Sequence, residues 1–278
     1  MENPMHHLSL LATRLFTVLA AVASFACAPI STAQDYTPTV GQEGKDVIWV
    51  PTPQSLVDKM LDMAKLTPRD IHYDLGSGDG RTVITAAKRG AQAYGVEFNP
   101  DMVKLSERNA AKEGVAGKAK FINGDIFQTD FSHATVVTLY LLPSLNVKLR
   151  PTILKMKPGT RVVSHAFSMD DWQADQTETA EGRTAYLWIV PAPVSGKWQL
   201  PGDGELTLKQ SYQMISGVLK QGGKERIVKG RLSGDQITFA ADADPRLEFS
   251  GRVSGGSMQG TVRDPAGEAK WSATRASN

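Results

Sequence analysis

The sequence predicts an α/β chain: a parallel sheet with helices on both faces, followed by a small antiparallel β-meander or barrel. Three observations predict it. From about Asp46 to Pro191, apolar runs of strand length alternate with longer amphipathic stretches. After Pro193 the helical pattern stops and short alternating runs take over. Between the two, "PAPVSG" at 191–196 forms a short stiff connector.

In the first region "IHYDL" reads as a strand and "RTVITAAKRG" as a helix closed by Gly90. "AQAYGVE" is the next strand, and "PDMVKLSERNAAKEG" is a helix that opens on Pro100 and closes on Gly114. Strands at "AKFIN", "ATVVTLYLL" and "TRVVSHAF" follow, with a helix between Pro143 and Met156. The second region reads as strands at "ELTLKQSYQ", "SGVLKQ", "RIVKGRL", "DQITFAA", "RLEFSGRV", "SMQGTVR" and "AKWSATR", separated by Gly-Asp, Gly-Gly and Asp-Pro turn signals.

The N-terminus has a different character. Arg14, the apolar run "LFTVLAAVASFACAPI" and then "STAQ", with Ser31 and Ala33 at the small-residue positions, have the layout of a cleaved signal peptide. The run is shorter than the ~20 residues a spanning helix needs. The expected division is therefore a signal peptide at 1–33, an α/β domain at 34–192 and a β domain at 193–278, in an exported, periplasmic protein. The single cysteine, Cys27, lies in "SFAC", a poor match to a lipoprotein attachment box. After cleavage the chain would hold no thiol nucleophile, disulfide or cysteine-liganded metal. With 31 Lys+Arg against 29 Asp+Glu the formal charge is +2, without the basic excess of a dedicated nucleic-acid binder. Five histidines, two of them in the signal segment, show no metal-ligand spacing, so no metal is expected.

The stretch "YDLGSGDGR" carries the chemistry. Ligands of an open parallel sheet bind at the carboxyl ends of its strands, and glycines there let backbone lie against a ligand. Gly76, Gly78 and Gly80 give G-x-G-x-G, with Arg81 where a dinucleotide fingerprint needs its third glycine, and no G-K-[ST] follows. The turn begins with a carboxylate, Asp74, which suits an ammonium group better than phosphates. Glu97 ends the next strand, where it can accept two hydrogen bonds from a ribose diol, and Asp125 ends the third, where it can receive an adenine amino group. Singly, each acid is also an ordinary turn or strand-end residue. Together they describe a site for an adenosine carrying an amino acid.

In this order and spacing "DLGSGDG", "GVE" and "GDIF" resemble motifs one to three of the class I, seven-strand methyltransferases that use S-adenosylmethionine. With "VPTPQSLVDKML", "YLLPSLNVKLRP" and "RVVSHAF", the chain is similar to the mitochondrial-type protein-lysine methyltransferases, from about Val47 to Val190. The resemblance implies a Rossmann-like sheet. It implies that Asp74, Gly76, Ser77, Gly78 and Gly80 hold the methionine moiety, Glu97 the ribose, and Asp125 with the backbone of Ile126 the adenine. It also implies a protein lysine as acceptor, with a lysine presented at a membrane among the candidates. Only Asp170 to Arg183 precedes "AYLWIV", so the sheet is expected to lack the full final hairpin of the larger enzymes.

Methyl transfer to lysine requires a neutral amine and a dry channel. The loop "YLLP", Tyr140 to Pro143, offers a ring and apolar walls, which makes Tyr140 the candidate catalytic residue; the plainer reading is a tyrosine ending a buried strand. His165 and His72 read as internal residues and His133 as a loop residue, while Trp49, Trp172 and Trp188 read as cleft lining or as packing. Two other functions compete. A small-molecule methyltransferase would carry the same three motifs. An exported adenosyl-ligand or partner-binding protein would need no cytosolic supply of cofactor.

Overall fold

The computed structural model describes Met1, residues 36–242 and residues 244–276, so the signal-peptide and Cys27 readings lie outside the described residues. The first helix, α1 (Gln54–Met63), buries two stripes: Leu56 and Met60 on one side, Val57 and Leu61 on the other. The first strand, β1 (Ile71–Leu75), leads through the glycine turn into α2 (Arg81–Lys88). There follow β2 (Gln92–Glu97), α3 (Pro100–Lys112), β3 (Ala119–Asn123), β4 (Val136–Leu139), α4 (Pro143–Ile153) and β5 (Arg161–His165). The entry to α3 follows the capping rule: Pro100 takes the first turn, and the Asn99 side chain accepts the Asp101 N–H at 2.9 Å.

These strands lie in the order β3-β2-β1-β4-β5, all parallel, so strand order reverses between β1 and β4. Alternation along β1 and β4 sorts side chains to two faces. Tyr73, Leu75, Val137 and Leu139 pack with α4 residues Leu149 and Ile153 on one face. Helices α1, α2 and α3 cover the other, with Val57, Val83, Ala87 and Ala110 in one cluster. Trp172 and Trp188, fully buried, belong to the α4-side core and not to a cleft.

The sheet does not stop at β5. A hairpin of β6 (Gln176–Ala180) and β7 (Arg183–Ile189) completes it as seven strands, with β7 antiparallel to β5. This corrects the expectation of a missing final hairpin. Glu181 and Gly182 both have positive φ (50° and 72°), as a two-residue turn requires, and so the segment spans the hairpin without a longer loop.

From β8 (Gly196–Gln199) onward the chain is a closed eight-stranded barrel: β9 (Glu205–Ser211), β10 (Met214–Gln221), β11 (Lys224–Ser233), β12 (Gln236–Ala241), β13 (Leu247–Ser254), β14 (Ser257–Asp264) and β15 (Gly267–Arg275). Seven of these strands were legible, and β8 was not. Side chains fill the interior: Phe239 and Phe249 stack at 4.5 Å, and Trp271 stands edge-on to both at 5.5 Å. Trp198, Leu206 and Leu232 complete the filling. The barrel docks on the sheet through Tyr212, stacked on Trp172 at 5.7 Å, and through Gln213, whose Oε1 accepts the Trp172 indole N–H at 3.0 Å. The Arg231–Asp175 ion pair (2.7 Å) closes the junction.

Closing so small a barrel presses strands together at glycines. A Cβ on Gly260 would lie 1.9 Å from the Ser250 carbonyl oxygen, a contact only a backbone shift can relieve. Gly260→Ala should therefore destabilise by about 2 kcal/mol, within the usual cost of overpacking. Urea denaturation measures it, and a midpoint unchanged from the parent would refute the close-approach argument.

Candidate active site

The carboxyl ends of β1 to β4 open into a cavity of about 630 Å³. Its floor is the glycine turn. Gly76, Gly78 and Gly80 have φ of 81°, 55° and 81°, a left-handed conformation that favours glycine at each position. The turn is fixed from several sides: Gly76 N–H and Ser77 N–H donate to the Val96 carbonyl (2.9 and 3.1 Å), and the Ser106 hydroxyl donates to Gly78 O (2.9 Å). Asp74, Gly76, Ser77, Gly78, Glu97, Asp125, Ile126 and Tyr140 all line the cavity. Gly80 stands off that wall. It starts α2 in a left-handed conformation, and a Cβ there would lie 2.8 Å from the Phe121 ring and from Ser106 Cβ.

Asp74 is buried and accepts hydrogen bonds from the Thr138 hydroxyl, at 2.6 Å, and from the Thr82 side chain. Burial pushes its carboxyl up to about 7, and the nearby Asp79 and Glu97 push in the same direction. Glu97 is held with both oxygens engaged: Oε2 accepts Gly78 N–H at 3.0 Å and Oε1 accepts Asn99 N–H at 2.9 Å. Burial also raises its carboxyl, with those backbone N–H groups opposing. Each oxygen retains a lone pair for a further donor. Asp125 Oδ1 accepts Phe127 N–H at 2.8 Å, and Oδ2 accepts Lys45 Nζ at 2.6 Å; the Lys45 bond holds this carboxyl below its usual range. Ser77 Oγ is buried with no hydrogen-bond partner among the described residues.

This donor set fits an adenosyl amino acid. A buried carboxylate beside two others favours a cation, a half-satisfied Glu97 suits a diol, and the glycine turn presents backbone without side chains. The strand ends thus bring the predicted cofactor residues other than Gly80 together around one space.

Comparison with known proteins decides the family. Residues 74–176 match the ANTKMT methyltransferase domain. Over 151 residues the chain is 44% identical to a protein-lysine N-methyltransferase of Saccharolobus islandicus (strain REY15A), covering 52% of this chain and 94% of that protein. The chain belongs to the protein-lysine N-methyltransferase family. It is a methyltransferase that uses S-adenosylmethionine. An RNA methyltransferase from Salinibacter ruber, solved in complex with S-adenosyl-L-homocysteine, is 51% identical over 52% of this chain and 96% of that one, with a TM-score of 0.51. The adenine nucleotide translocase lysine N-methyltransferase of Mus musculus is 32% identical over 119 residues, which cover 42% of this chain and 52% of that protein. The family match ends before the barrel begins.

At the ends of β4 and β5 the cavity wall is aromatic and apolar. Tyr140 leaves the sheet after Leu139 and lines the cavity, so it does not end a buried strand. Its ring stacks on His165 at 3.8 Å and on Phe167 at 6.2 Å. His165 is buried and hydrogen-bonded through Nδ1 to the Thr52 hydroxyl at 3.0 Å, and burial lowers its pKa to about 4, which leaves a neutral ring. Between them Ala166 has φ of 63°, with Phe167 N–H donating to His165 O at 2.8 Å, a strained tight turn that returns Phe167 to the cavity wall. Leu141, Leu142 and Leu145 supply the apolar remainder.

His72 is fully buried and bonded to Thr138, and His133 bonds Tyr73, as internal and loop residues respectively. Of Trp49, Trp172 and Trp188, only Trp49 lines the cavity. Phe167, Thr138, Lys45 and Thr52 went unrecognised as site residues. Only Thr52 carried a signal, standing between Pro51 and Pro53 just before α1.

Proposed function

We propose that this methyltransferase N-methylates a lysine side chain of a protein substrate. The observation that carries it is the aromatic and apolar stretch of cavity wall formed by Tyr140, Phe167, Leu142 and Leu145, in the same cavity as the glycine turn. In this reading Asp74 pairs with the cofactor's ammonium, Gly76 to Gly78 lie along its methionine chain, Glu97 accepts from the ribose hydroxyls, and Asp125 with the Ile126 backbone holds adenine. The bound cofactor supplies an already activated methyl group, so the protein needs no strong acid or base. Tyr140 takes the incoming ammonium on its ring face, a contact worth about 0.5–2 kcal/mol. The leucine and phenylalanine walls then disfavour the charged form, so the proton leaves to bulk water before the amine reaches the cofactor. Stacking on His165 fixes the Tyr140 ring for that task.

The name of the Salinibacter ruber relative raises RNA as a rival acceptor, and a net charge of only +2 argues against it. The test offers methyl-labelled cofactor with envelope proteins, with RNA and with small-molecule extract. Label on protein lysine is expected; label confined to RNA or small molecules would refute the reading. Tyr140→Ala should slow turnover about tenfold with cofactor affinity within about twofold of the parent, and Tyr140→Phe should be milder because the ring remains. An active Tyr140→Ala would leave Tyr140 a packing residue. We further propose that the protein acts after export with residues 1–33 removed, because of the apolar run and "STAQ". N-terminal sequencing of native protein from cell fractions tests it, and an intact cytosolic chain would disprove it. Among the described residues no helix is long and apolar enough to cross a membrane.

A further inference from the structure

One wall of the cavity comes from outside the sheet. Residues 41–49 fold into a small hairpin: Trp49 N–H donates to Gln42 O and Gly41 N–H to Trp49 O, both at 2.9 Å, with Glu43 paired to Ile48. This segment precedes the stretch matched to the family, which starts at residue 74. Two side chains span from it to the strand ends. Trp49 packs on the glycine turn so closely that a Cβ on Gly78 would lie 2.6 Å from its indole nitrogen. At the hairpin's tip Lys45 bonds Asp125 Oδ2 at 2.6 Å and stands 4.9 Å from the centre of the Phe98 ring. The base of the hairpin is tied down separately, where Arg81 donates to Thr52 O at 3.0 Å while its guanidinium grips Asp79.

We propose that Trp49 and Lys45 complete the cofactor site: Trp49 is a cofactor-binding residue over the glycine turn, and Lys45 is a positioning residue that fastens the hairpin to Asp125 along the cofactor's length. The proposal rests on the assignment of this cavity to S-adenosylmethionine. Its geometry is consistent with Asp125 serving two partners. A carboxylate offers about four lone-pair sites, and Lys45 and Phe127 N–H use two, which leaves acceptor capacity for an adenine amino group. The Lys45–Asp125 pair is partly exposed, with side chains 36% and 15% accessible, so its hold is modest and weakened by salt.

The test uses the purified chain and S-adenosylhomocysteine alone, so it does not depend on any acceptor. Calorimetry should give a Kd about tenfold weaker for Trp49→Ala, with Trp49→Phe recovering much of the loss. Surface plasmon resonance should show Lys45→Met releasing the ligand about fivefold faster. Raising salt should speed release more from the parent than from Lys45→Met. Lys148→Met is the control: Lys148 acts on Asp125 only through space and sits 3.8 Å from the Phe127 ring centre, so its release rate should match the parent's. Equal release rates for Lys45→Met and parent, or an unchanged Kd for Trp49→Ala, would overturn the proposal. A parent chain that binds no S-adenosylhomocysteine would overturn the cofactor assignment as well, which separates the two failures.

Discussion

Glu97→Ala should weaken S-adenosylhomocysteine binding by on the order of a hundredfold. Glu97 is asked to do two things at once. Its oxygens fix Gly78 and Asn99 by their backbone N–H groups, and the same oxygens, on the cavity wall, have lone pairs to spare for a ribose diol. A hydrogen bond to a charged group contributes about 1.5–3 kcal/mol, so losing even one at full strength costs roughly one to two orders of magnitude. Glu97→Gln should be milder, because one oxygen remains as an acceptor. Isothermal titration calorimetry separates the variants, and an affinity for Glu97→Ala within about threefold of the parent would show that Glu97 does not touch the ligand.

Asp74 should make cofactor affinity depend on pH in a way its neighbours cannot reproduce. Burial raises this carboxyl to about 7, so below that pH it is neutral and cannot pair with an ammonium. The cofactor's own amine, as an α-amino group of pKa about 7.7–8, loses its charge on the alkaline side. Affinity should therefore peak between the two values and fall about tenfold from about pH 7.5 to about pH 6. Asp74→Asn should bind about a hundredfold more weakly near pH 7.5, with a nearly flat acid limb. Stability moves in the opposite direction. A carboxyl raised in the folded state contributes stability that is fully present below its unfolded value and is lost as pH rises through about 7. The ligand-free Asp74→Asn protein should thus melt higher than the parent at about pH 8. A flat parent profile, or a variant that melts lower, would mean that Asp74 is a structural carboxylate.

How much of this could be read from sequence followed from how local the causes were. β1 and β3 fell on "IHYDL" and "AKFIN" with matching ends, and Pro100 marked the start of α3, because apolar alternation and caps are local signals. The run "ATVVTLYLL" read as one strand, yet β4 holds only Val136–Leu139. Tyr140 to Leu142 lie beyond the strand and line the cavity, Leu141 also packing into the core, so cavity wall and core share one apolar pattern. The final hairpin was missed because β6, "QTETA", is a polar edge strand paired only to β7, and β8 because Trp198 alone among its residues is apolar and buried. The three acids and the glycines announced the cofactor floor. Lys45 could not be announced: its partner lies eighty residues away, and no periodicity encodes a contact at that range.

The filled barrel has a consequence for how the two halves tolerate change. At eight strands, side chains can fill an interior or leave room for one small ligand, and here Trp198, Phe239, Phe249 and Trp271 pack with leucines such as Leu206 and Leu232 into a continuous core. The barrel's inner positions are pinned by packing, while outward ones such as Lys229, Thr238, Ser250 and Arg263 are exposed and can be exchanged at little cost to the fold. The chain therefore couples a half whose constrained residues ring a cavity to a half whose constrained residues fill a core.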